Sequence, residues 1–311
     1  MNINVFHLDL NDNSMCQKWD GFVSNFPEDG HHHKTCFLQA VKTAFPEHQN
    51  ESLVAQNSDG DIVGILPLIG LKSPVFGKQL ASIPFFNYGG ALAQDDITRR
   101  ELMAEAKLIS DKGYDKCIIR DSQAFESKES WTTQKHKANL VLALPDDINK
   151  IGAGNAKKRA KLRSQAKLAL RKADDLNVNV HQAFGGEELL DDFYQVFSTH
   201  MRDLGTPVYP RSFFEVIYQN IKSTLTVYYW DNEPVGCGWL FEHGERVSIP
   251  WASTLRKVNA FSVNANMYYN ILDRCINNGN KLFDFGRSTI DAGTYKFKLQ
   301  WGAEPKQCHW H

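Results

Sequence analysis

The residues best suited to chemistry lie near the C-terminal end of the sequence, in Phe283–Gly302 (FDFGRSTIDAGTYKFKLQWG). The apolar run at 281–285 predicts a buried strand that ends at Gly286. Small residues at a strand end let a ligand approach the backbone, and arginine and lysine attract phosphate or carboxylate groups. The segment therefore predicts an anion-binding site, and the alternative is a well-packed C-terminal turn with solvated lysines. The candidate contact residues are Arg287, Ser288, Tyr295, Lys296, Lys298 and Trp301.

A second candidate segment joins two predicted helices near residues 200–214. Gly205 is suited to a helix C-terminal cap, and the prolines at 207 and 210 stiffen the connection that follows. A rigid connector carrying Arg202, Asp203 and Tyr209 could form one wall of a cleft. The alternative is a helix end with a surface ion pair.

The two halves of the sequence repeat the same landmarks in the same order, which indicates a duplication. The matching residues are separated by 166 positions: Ser82-Ile83-Pro84 with Ser248-Ile249-Pro250, Gly113 with Gly279, and Ser122 with Ser288. We interpret the chain as two copies of one α/β domain.

The predicted elements of each half are two helices, three antiparallel strands, a further helix and a strand. In the second half the helices are expected near 187–203, 211–221 and 262–278, and the strands near 225–230, 234–242, 245–252 and 281–285. This order resembles the GNAT acyltransferase fold. We predict an α/β fold with mixed sheets and tandem GNAT-like domains at 1–148 and 177–311, separated by a basic helical connector at 149–176.

The connector contains the segment Ala156–Ala173, which has eight lysines and arginines and no acidic residue. Leu162, Ala166, Ala169 and Ala173 recur at helical spacing, so one helix could pack an apolar face and present a cationic one. The segment is either a solvated helix between domains or a surface for an anionic partner. A tRNA, another polyphosphate and an anionic membrane would each fit.

Composition indicates an ordinary globular protein. The chain has 311 residues, 42% of them hydrophobic, and a formal net charge of −1, which argues against general affinity for nucleic acid. No apolar run could span a bilayer, and the N-terminus lacks the features of a signal peptide, so we expect a cytoplasmic protein, with peripheral membrane contact left open by the basic segment. The six cysteines are dispersed, and three consecutive loop histidines at 31–33 cannot easily converge on one ion. We expect no metal site.

Three motifs resemble the FemAB-related proteins associated with exosortase/PEP-CTERM systems, within the Fem aminoacyltransferase and GNAT superfamily. They are HMRDLGTPVYPRSFF (200–214), FDFGRST (283–289) and GTYKFKLQWGAEP (293–305), and residues 66–90 are similar to the first half of that family. The resemblance implies transfer of an acyl or aminoacyl group onto an amine in cell-envelope or exopolysaccharide biosynthesis. It implies an acceptor cleft between the domains and a small-molecule or lipid-linked amino-sugar or peptide acceptor.

The resemblance also suggests roles for the candidate residues. A lysine in the terminal Phe-Lys motif of Fem transferases lies at the active site, and the matching residue is Lys298. We expect Lys298 and Arg287 to hold donor phosphates or stabilise negative charge, and Asp203 to act as acid, base or amine-positioning group. Tyr295 and Tyr209 could donate a proton to the leaving group, although aromatic residues more often pack. The sequence has no pattern typical of a covalent acyl-enzyme.

The donor remains open between an acyl-coenzyme A and an aminoacyl-tRNA. The stretch Arg256–Phe261 lacks the glycine-rich loop that cradles the coenzyme A pyrophosphate, and the chain also lacks the long helical arm of Fem enzymes. Because the net charge is small, we favour a thioester slightly. The alternative function is an inactive GNAT-fold binding protein whose basic helix binds RNA, anionic lipid or a biosynthetic partner.

Overall fold

The chain folds into two compact units, each described here on its own. Unit 1 comprises Met1–Lys137 with Gln307–His311, and unit 2 comprises Ala138–Lys306. The sequence analysis set boundaries at 148 and 176, whereas residues 138–176 belong to unit 2. Leu140, Leu162 and Ala166 explain this difference, because all three are buried in the core of that unit. The computed structural model describes residues 3–26, 31–73, 77–125 and 131–311.

The described residues of unit 1 form short strands and three α-helices. The elements are β1 (Asn4–His7), α1 (Asn13–Val23), α2 (Thr35–Ala44), β2 (Gln49–Asn50), β3 (Leu53–Gln56), β4 (Ile62–Leu66), β5 (Leu68–Ser73), β6 (Gly77–Ser82), β7 (Leu92–Ala93), α3 (Asp96–Gly113), β8 (Lys116–Ile118) and β9 (Arg120–Asp121). Two four-stranded sheets have the orders β1-β3-β4-β7 and β2-β5-β6-β8. Residues 74–76, part of the segment similar to Fem-related proteins, lie outside the described residues.

Helix α3 shows how local sequence builds unit 1. The Asp95 carboxylate caps its first turn by accepting the Thr98 N–H at 2.7 Å. Leu102, Met103 and Ala106 recur at helical spacing and are fully buried. The helix connects β6 to β8, which pair in parallel as a helical crossover allows.

Unit 2 has a larger, continuous sheet. Its elements are β10 (Lys137–Ala143), α4 (Ala156–Ala166), α5 (Leu168–Leu176), β11 (Val180–Gly185), α6 (Leu190–Asp203), α7 (Arg211–Asn220), β12 (Ser223–Trp230), β13 (Glu233–His243), β14 (Arg246–Thr254), α8 (Val263–Asn277), β15 (Leu282–Thr289), α9 (Gly293–Gln300) and β16 (Glu304–Gln307). The seven strands have the order β11-β12-β13-β14-β15-β10-β16. The last strand of the chain, β17 (His309–Trp310), belongs to unit 1, where it pairs with β9.

The two faces of this sheet carry different cores, because successive residues of a strand point to opposite faces. Leu240 of β13 belongs to the core on the side of α4, α5 and α8. Its neighbours Trp239 and Phe241 point the other way, towards α6 and α7. The Trp239 ring meets the Phe193 ring edge-to-face at 5.0 Å and stacks on Phe214 at 5.6 Å. Helices α6 and α7 are therefore held by an aromatic layer.

The duplication appears in both units as the same arrangement. The strand that carries the first landmark serine, Ser82 in β6 or Ser248 in β14, pairs in parallel with the strand that follows the next helix. The intervening helices are α3 and α8. The predicted α/β fold with mixed sheets is confirmed.

Three local expectations are corrected. The basic segment forms two helices instead of one, because the helix is interrupted at Lys167. Strand β15 does not end at Gly286 but continues to Thr289. The segment after Gly293, for which the alternative was a C-terminal turn with solvated lysines, forms helix α9. None of the described helices is long and apolar enough to cross a bilayer.

Candidate active site

Helix α6 brings a histidine to the C-terminal end of β14. Phe193, Val196 and Phe197 form the buried stripe of the helix, and His200 continues it one turn later. The half-buried imidazole lies beside the backbone of Thr254, the last residue of β14. Burial lowers the His200 pKa below its ordinary value, although the Thr254 contact and Asp203 oppose the shift. A neutral imidazole at this position can accept a proton.

His200 was not among the residues predicted from the sequence, although its position on the helix gave a signal. His200 lies three residues before Asp203 and three after Phe197, so all three residues share one face of an amphipathic helix. A polar, titratable residue that continues a buried stripe towards a helix end is a reasonable candidate for a site.

The end of α6 presents Asp203 at the surface. The predicted cap at Gly205 is confirmed: its φ is +67°, and the Thr206 N–H bonds the Met201 carbonyl at 3.0 Å. Asp203 has a side chain 32% exposed, and its carbonyl accepts the Arg256 guanidinium at 2.6 Å. The side chain of the predicted Arg202 is 74% exposed, and its guanidinium lies 4.0 Å from the Asp203 carboxylate, which is long for an ion pair. This pair therefore adds little stability.

Strands β14 and β15 separate as they approach this edge of the sheet. Their parallel pairing ends at Ser248 and Asp284, although both strands continue. Strand β14 has a β-bulge at Pro250: one residue of β13, between Trp239 and Phe241, lies opposite two residues of β14, between Ser248 and Trp251. Pro250 has no N–H to donate, and Gly286 turns β15 with a φ of +73°. The separation creates a gap in which an extended ligand could pair with strand backbone.

A buried carboxylate fixes the turn in β15. Asp284 is 1% exposed on its side chain and accepts the Arg246 guanidinium at 2.5 Å and the Asn139 amide at 3.1 Å. Its other oxygen accepts the Gly286 N–H at 2.7 Å. The Asp284 carboxylate therefore holds Gly286 in place, and the carbonyl of Gly286 becomes a defined acceptor.

Lys298 of α9 uses that acceptor. Its Nζ donates to the Gly286 carbonyl at 3.0 Å and to the Arg287 carbonyl at 3.1 Å, which leaves one N–H of the ammonium for a ligand. Only 8% of the residue is exposed, and no carboxylate of the fully described unit 2 lies within ion-pair distance. Burial lowers the Lys298 pKa to about 8; Asp284 opposes the shift, and Arg287 adds to it. The group can act as a cation or exchange a proton near neutral pH.

The other predicted residues divide between this site and the core. Ser288 directly follows Arg287 and is 5% exposed, and its hydroxyl has no hydrogen-bond partner among the described residues. Lys296 is exposed, and Tyr295 is half-buried against the core. Trp301 is fully buried within that core, which corrects the expectation that its ring contacts a ligand.

Tyr209 belongs to the aromatic layer. Its ring is half-buried at 5.6 Å from Phe213 and 5.8 Å from Phe197, and its carbonyl accepts the Tyr194 hydroxyl at 3.1 Å. These contacts hold the connector between α6 and α7 against the sheet. They favour the packing alternative for Tyr209 over its role as a proton donor to the leaving group.

The Lys298 pKa makes stability depend on pH in a defined direction. The folded value is about 8, whereas the ordinary value is 10.5. The unfolded chain therefore binds more protons between these values, and stability rises with pH across that window. We expect the free energy of unfolding to rise by about 3 kcal/mol relative to Lys298→Met between pH 8 and 10.5. Urea denaturation of both proteins across this range measures the difference.

The matched control is Lys296→Met, which removes an exposed lysine from the same helix. Its stability should follow that of the wild-type protein at every pH. A constant difference between wild type and Lys298→Met would show that the Lys298 ammonium is as well solvated as an ordinary surface lysine.

Comparison with known proteins identifies this architecture. Residues 156–299 match the family model described as acetyltransferase (GNAT) domain. A tandem GNAT protein from the clavulanic acid biosynthesis pathway is 10% identical, with a TM-score of 0.60 over 99% of this chain and 98% of that one. The fold is a tandem GNAT fold. FemX is similar at 14% identity and a TM-score of 0.61, over 98% of this chain and 96% of its own.

A third structure, the C-terminal domain of a putative lysylphosphatidylglycerol synthetase from Agrobacterium fabrum, has a TM-score of 0.61 at 9% identity. The match covers 96% of this chain and 91% of that domain. No curated protein sequence matches the chain.

The turn before α8 differs from the glycine-rich phosphate loop expected in GNAT enzymes. Arg256–Phe261 forms a 3-10 turn with Val258 buried inside it. The two cations of the turn already have partners: Arg256 bonds the Asp203 carbonyl, and Lys257 pairs with Glu233. The turn contains no glycine, so it differs in composition from a glycine-rich loop that binds pyrophosphate through backbone N–H groups.

No metal centre accompanies the site in the described part of the chain. There, no three histidine, cysteine, aspartate or glutamate residues are grouped to hold an ion. Of the histidines at 31–33, the second and third are buried, and the side chain of the first lies outside the described residues.

Proposed function

We propose that this protein is an acyltransferase that moves an acyl or aminoacyl group onto an amino group. One observation carries the proposal: a buried lysine with a lowered pKa hydrogen-bonds carbonyls of β15 just beyond the point where its pairing with β14 ends, in a domain with a GNAT-like fold. A developing negative charge on the attacked carbonyl would be stabilised there in a water-poor environment.

The reaction requires three functions from the chain. The acceptor nitrogen attacks the donor carbonyl, its proton passes to a base, and the bond to the leaving group breaks as that group takes up a proton. We assign the oxyanion to the Lys298 ammonium, supported by Arg287 and the Ser288 hydroxyl. We assign the base to His200, with Asp203 positioning the amine.

The proposed base follows from exposure and charge. His200 is half-buried and has a lowered pKa, so it is neutral at physiological pH and able to accept a proton. Asp203 is partly exposed at the same helix end and can bind a protonated amine before the transfer. Both residues lie at the carboxyl end of β14, and the parallel strand β15 brings Ser288 to the same edge.

We further propose that the acceptor is an amine-bearing precursor of the cell envelope or of an exopolysaccharide, either a small molecule or lipid-linked. The sequence motifs similar to Fem-related proteins support this class. The neighbouring structures include FemX and a domain of a putative lysylphosphatidylglycerol synthetase, a protein named for a lipid product.

For the donor we propose a small acyl thioester. The extended gap beside β15 favours a narrow donor arm, and Arg287 and Lys298 supply charge where the donor would end. Calorimetric titration with acetyl-coenzyme A and with aminoacyl-tRNA tests the choice. We expect thioester binding that weakens by about 1.5–3 kcal/mol in Arg287→Ala, since this change removes a charge-assisted contact.

The control for that titration is Lys281→Ala, which removes an exposed cation just before the opposite end of β15. Its affinity should equal that of the wild-type protein. Tight tRNA binding without thioester binding would overturn the donor assignment and leave the transfer itself in place. Binding of neither donor would contradict the proposed function.

A catalytically inactive binding protein remains the second candidate. The exposed lysines of α4 and α5 favour it, because they offer a cationic surface that transfer chemistry does not require. The two candidates differ in one variant: Lys298→Ala should abolish transfer in a folded enzyme and leave a binding protein unaffected.

A further inference from the structure

The cations of α4 and α5 fall into two groups with different surroundings. The arginines are anchored to backbone carbonyls: Arg159 to Gly154, Arg163 to Asn149, and Arg171 to Ser164. These guanidinium groups stabilise the fold of the segment itself.

The lysines of the segment are mostly free for an outside partner. Four of them are exposed, and within the described residues none forms an ion pair with a carboxylate: Lys157, Lys158, Lys161 and Lys167. Only Lys172 does so, with Asp175 at 3.2 Å. We name the four exposed lysines the lysine cluster. No carboxylate in the described part of the chain forms an ion pair with these four lysines. Their positive charge would therefore attract an anionic surface.

Exposed aliphatic side chains accompany the lysine cluster. All the large hydrophobic residues recorded as exposed in unit 2 belong to two segments, α5 and the connector after α6. Leu170 is 43% exposed and Leu176 53% in α5; Leu204 is 56% exposed and Val208 37% in the connector. We name these four residues the aliphatic set. Isolated exposed leucines are ordinary on a protein surface. Because the aliphatic set is confined to two segments, it indicates an interaction surface.

The two segments meet at the same turn. Helix α5 contacts the 3-10 turn Arg256–Phe261. Arg256 of that turn donates to the carbonyl of Asp203, which directly precedes Leu204. Both segments that carry the aliphatic set therefore reach this turn, and α4, which carries three lysines of the cluster, contacts α5. The proposed base at the end of α6 lies beside this surface.

We propose that unit 2 binds the surface of an anionic lipid bilayer through the lysine cluster and the aliphatic set. Lysines attract anionic headgroups, and leucine and valine side chains gain by entering the boundary between headgroups and acyl chains. This inference does not depend on the proposed reaction. If the reaction is also correct, the surface brings the site to a lipid-linked acceptor.

A nucleic acid fits the same surface less well. Proteins that bind single strands combine cations with aromatic side chains on which bases stack, and residues 156–176 contain no aromatic residue. Exposed aliphatic side chains gain little from a phosphate backbone. The combination of point charges and aliphatic groups favours a bilayer.

Cosedimentation with lipid vesicles tests the proposal on the full chain. The probes are vesicles of phosphatidylcholine alone and of phosphatidylcholine mixed equally with phosphatidylglycerol. We expect binding to the mixed vesicles only. Replacing the lysine cluster with glutamate should weaken this binding by at least about tenfold, since each lysine near the surface contributes to affinity. Leu170→Ser should remove the binding that persists at high salt.

Two controls make the same chemical changes elsewhere. Replacing Lys72, Lys78, Lys112 and Lys116 with glutamate changes the net charge equally in unit 1, and Leu108→Ser removes an aliphatic side chain that is 51% exposed there. Both controls should bind like the wild-type protein, and thermal melts confirm that every variant folds.

Three outcomes would overturn the proposal. The first is no binding to the mixed vesicles. The second is equal weakening by the unit 1 charge reversal, which would show a general charge effect. The third is that the protein binds total tRNA but no vesicles, and that the lysine-cluster variant loses the tRNA binding. This outcome would assign the surface to nucleic acid.

Discussion

Replacing Asp284 with leucine should lower the free energy of unfolding by about 3–5 kcal/mol, because the change strands the buried guanidinium of Arg246 without its partner. The two groups are 1% and 9% exposed and lie 2.5 Å apart. The double variant Arg246→Met with Asp284→Leu should recover most of the loss, since it removes both charges. Urea denaturation of wild type, both single variants and the double variant measures the coupling.

A matched control distinguishes burial from pairing. Lys107 and Asp111 form an ion pair at 2.8 Å on the exposed side of α3. Asp111→Asn should change stability by less than about 1 kcal/mol, because water solvates the remaining charge. If both aspartate variants lost the same small amount, Asp284 would be an ordinary surface carboxylate, and the fixed geometry around Gly286 would lose its physical basis.

Local signals predicted much of the fold. The glycine after α6 predicted the helix end because a left-handed residue is needed there, and the repeated serines 82 and 248 lie on corresponding strands of the two units. These features depend on short-range chemistry, so one sequence is enough to recognise them.

Long-range contacts explain what was missed. Asp284 is an ordinary acidic residue in a buried strand until the fold brings Arg246 and Asn139 to it from 38 and 145 residues away. The burial of Lys298 depends on that same assembly. Strand β10 enters the sheet of unit 2 beside β15, although it precedes the basic segment in sequence. Nothing in its local pattern indicates which sheet it joins.

The candidate site was therefore predicted in part. The sequence indicated Arg287, Ser288 and Lys298, and the fold brings them together at the end of β15. It also indicated Trp301, whose side chain belongs to the core. The sequence around this tryptophan fits both a ligand contact and a core position. Only the packing of α9 against the core decides whether the side chain is exposed.

Replacing Lys298 with methionine should reduce the rate of acyl transfer by about 10²–10³-fold, because removing one preorganised donor to an oxyanion costs that much. Methionine keeps the length and apolar stem of lysine, so the core beside Phe297 should stay packed. The rate constants of wild type and Lys298→Met under single-turnover conditions measure the effect. Lys296→Met, on the exposed side of α9, should retain at least about half of the wild-type rate.

An equal loss in both lysine variants would indicate that α9 contributes general positive charge. An unchanged rate in Lys298→Met would remove this residue from the mechanism. The pH dependence gives a further check: if the ammonium is the active form, the wild-type rate should fall above about pH 8, where Lys298 loses its proton.

The most direct measurement of the central claim is transfer of a radiolabelled acyl group. The purified protein is incubated with labelled acetyl-coenzyme A, or with labelled aminoacyl-tRNA, and a fraction of amine-bearing cell-envelope and exopolysaccharide precursors. Base-stable label should appear in an amine product with wild-type protein and fall to background with Lys298→Met. Folded wild-type protein that transfers no label from either donor to any acceptor of this class would contradict the account.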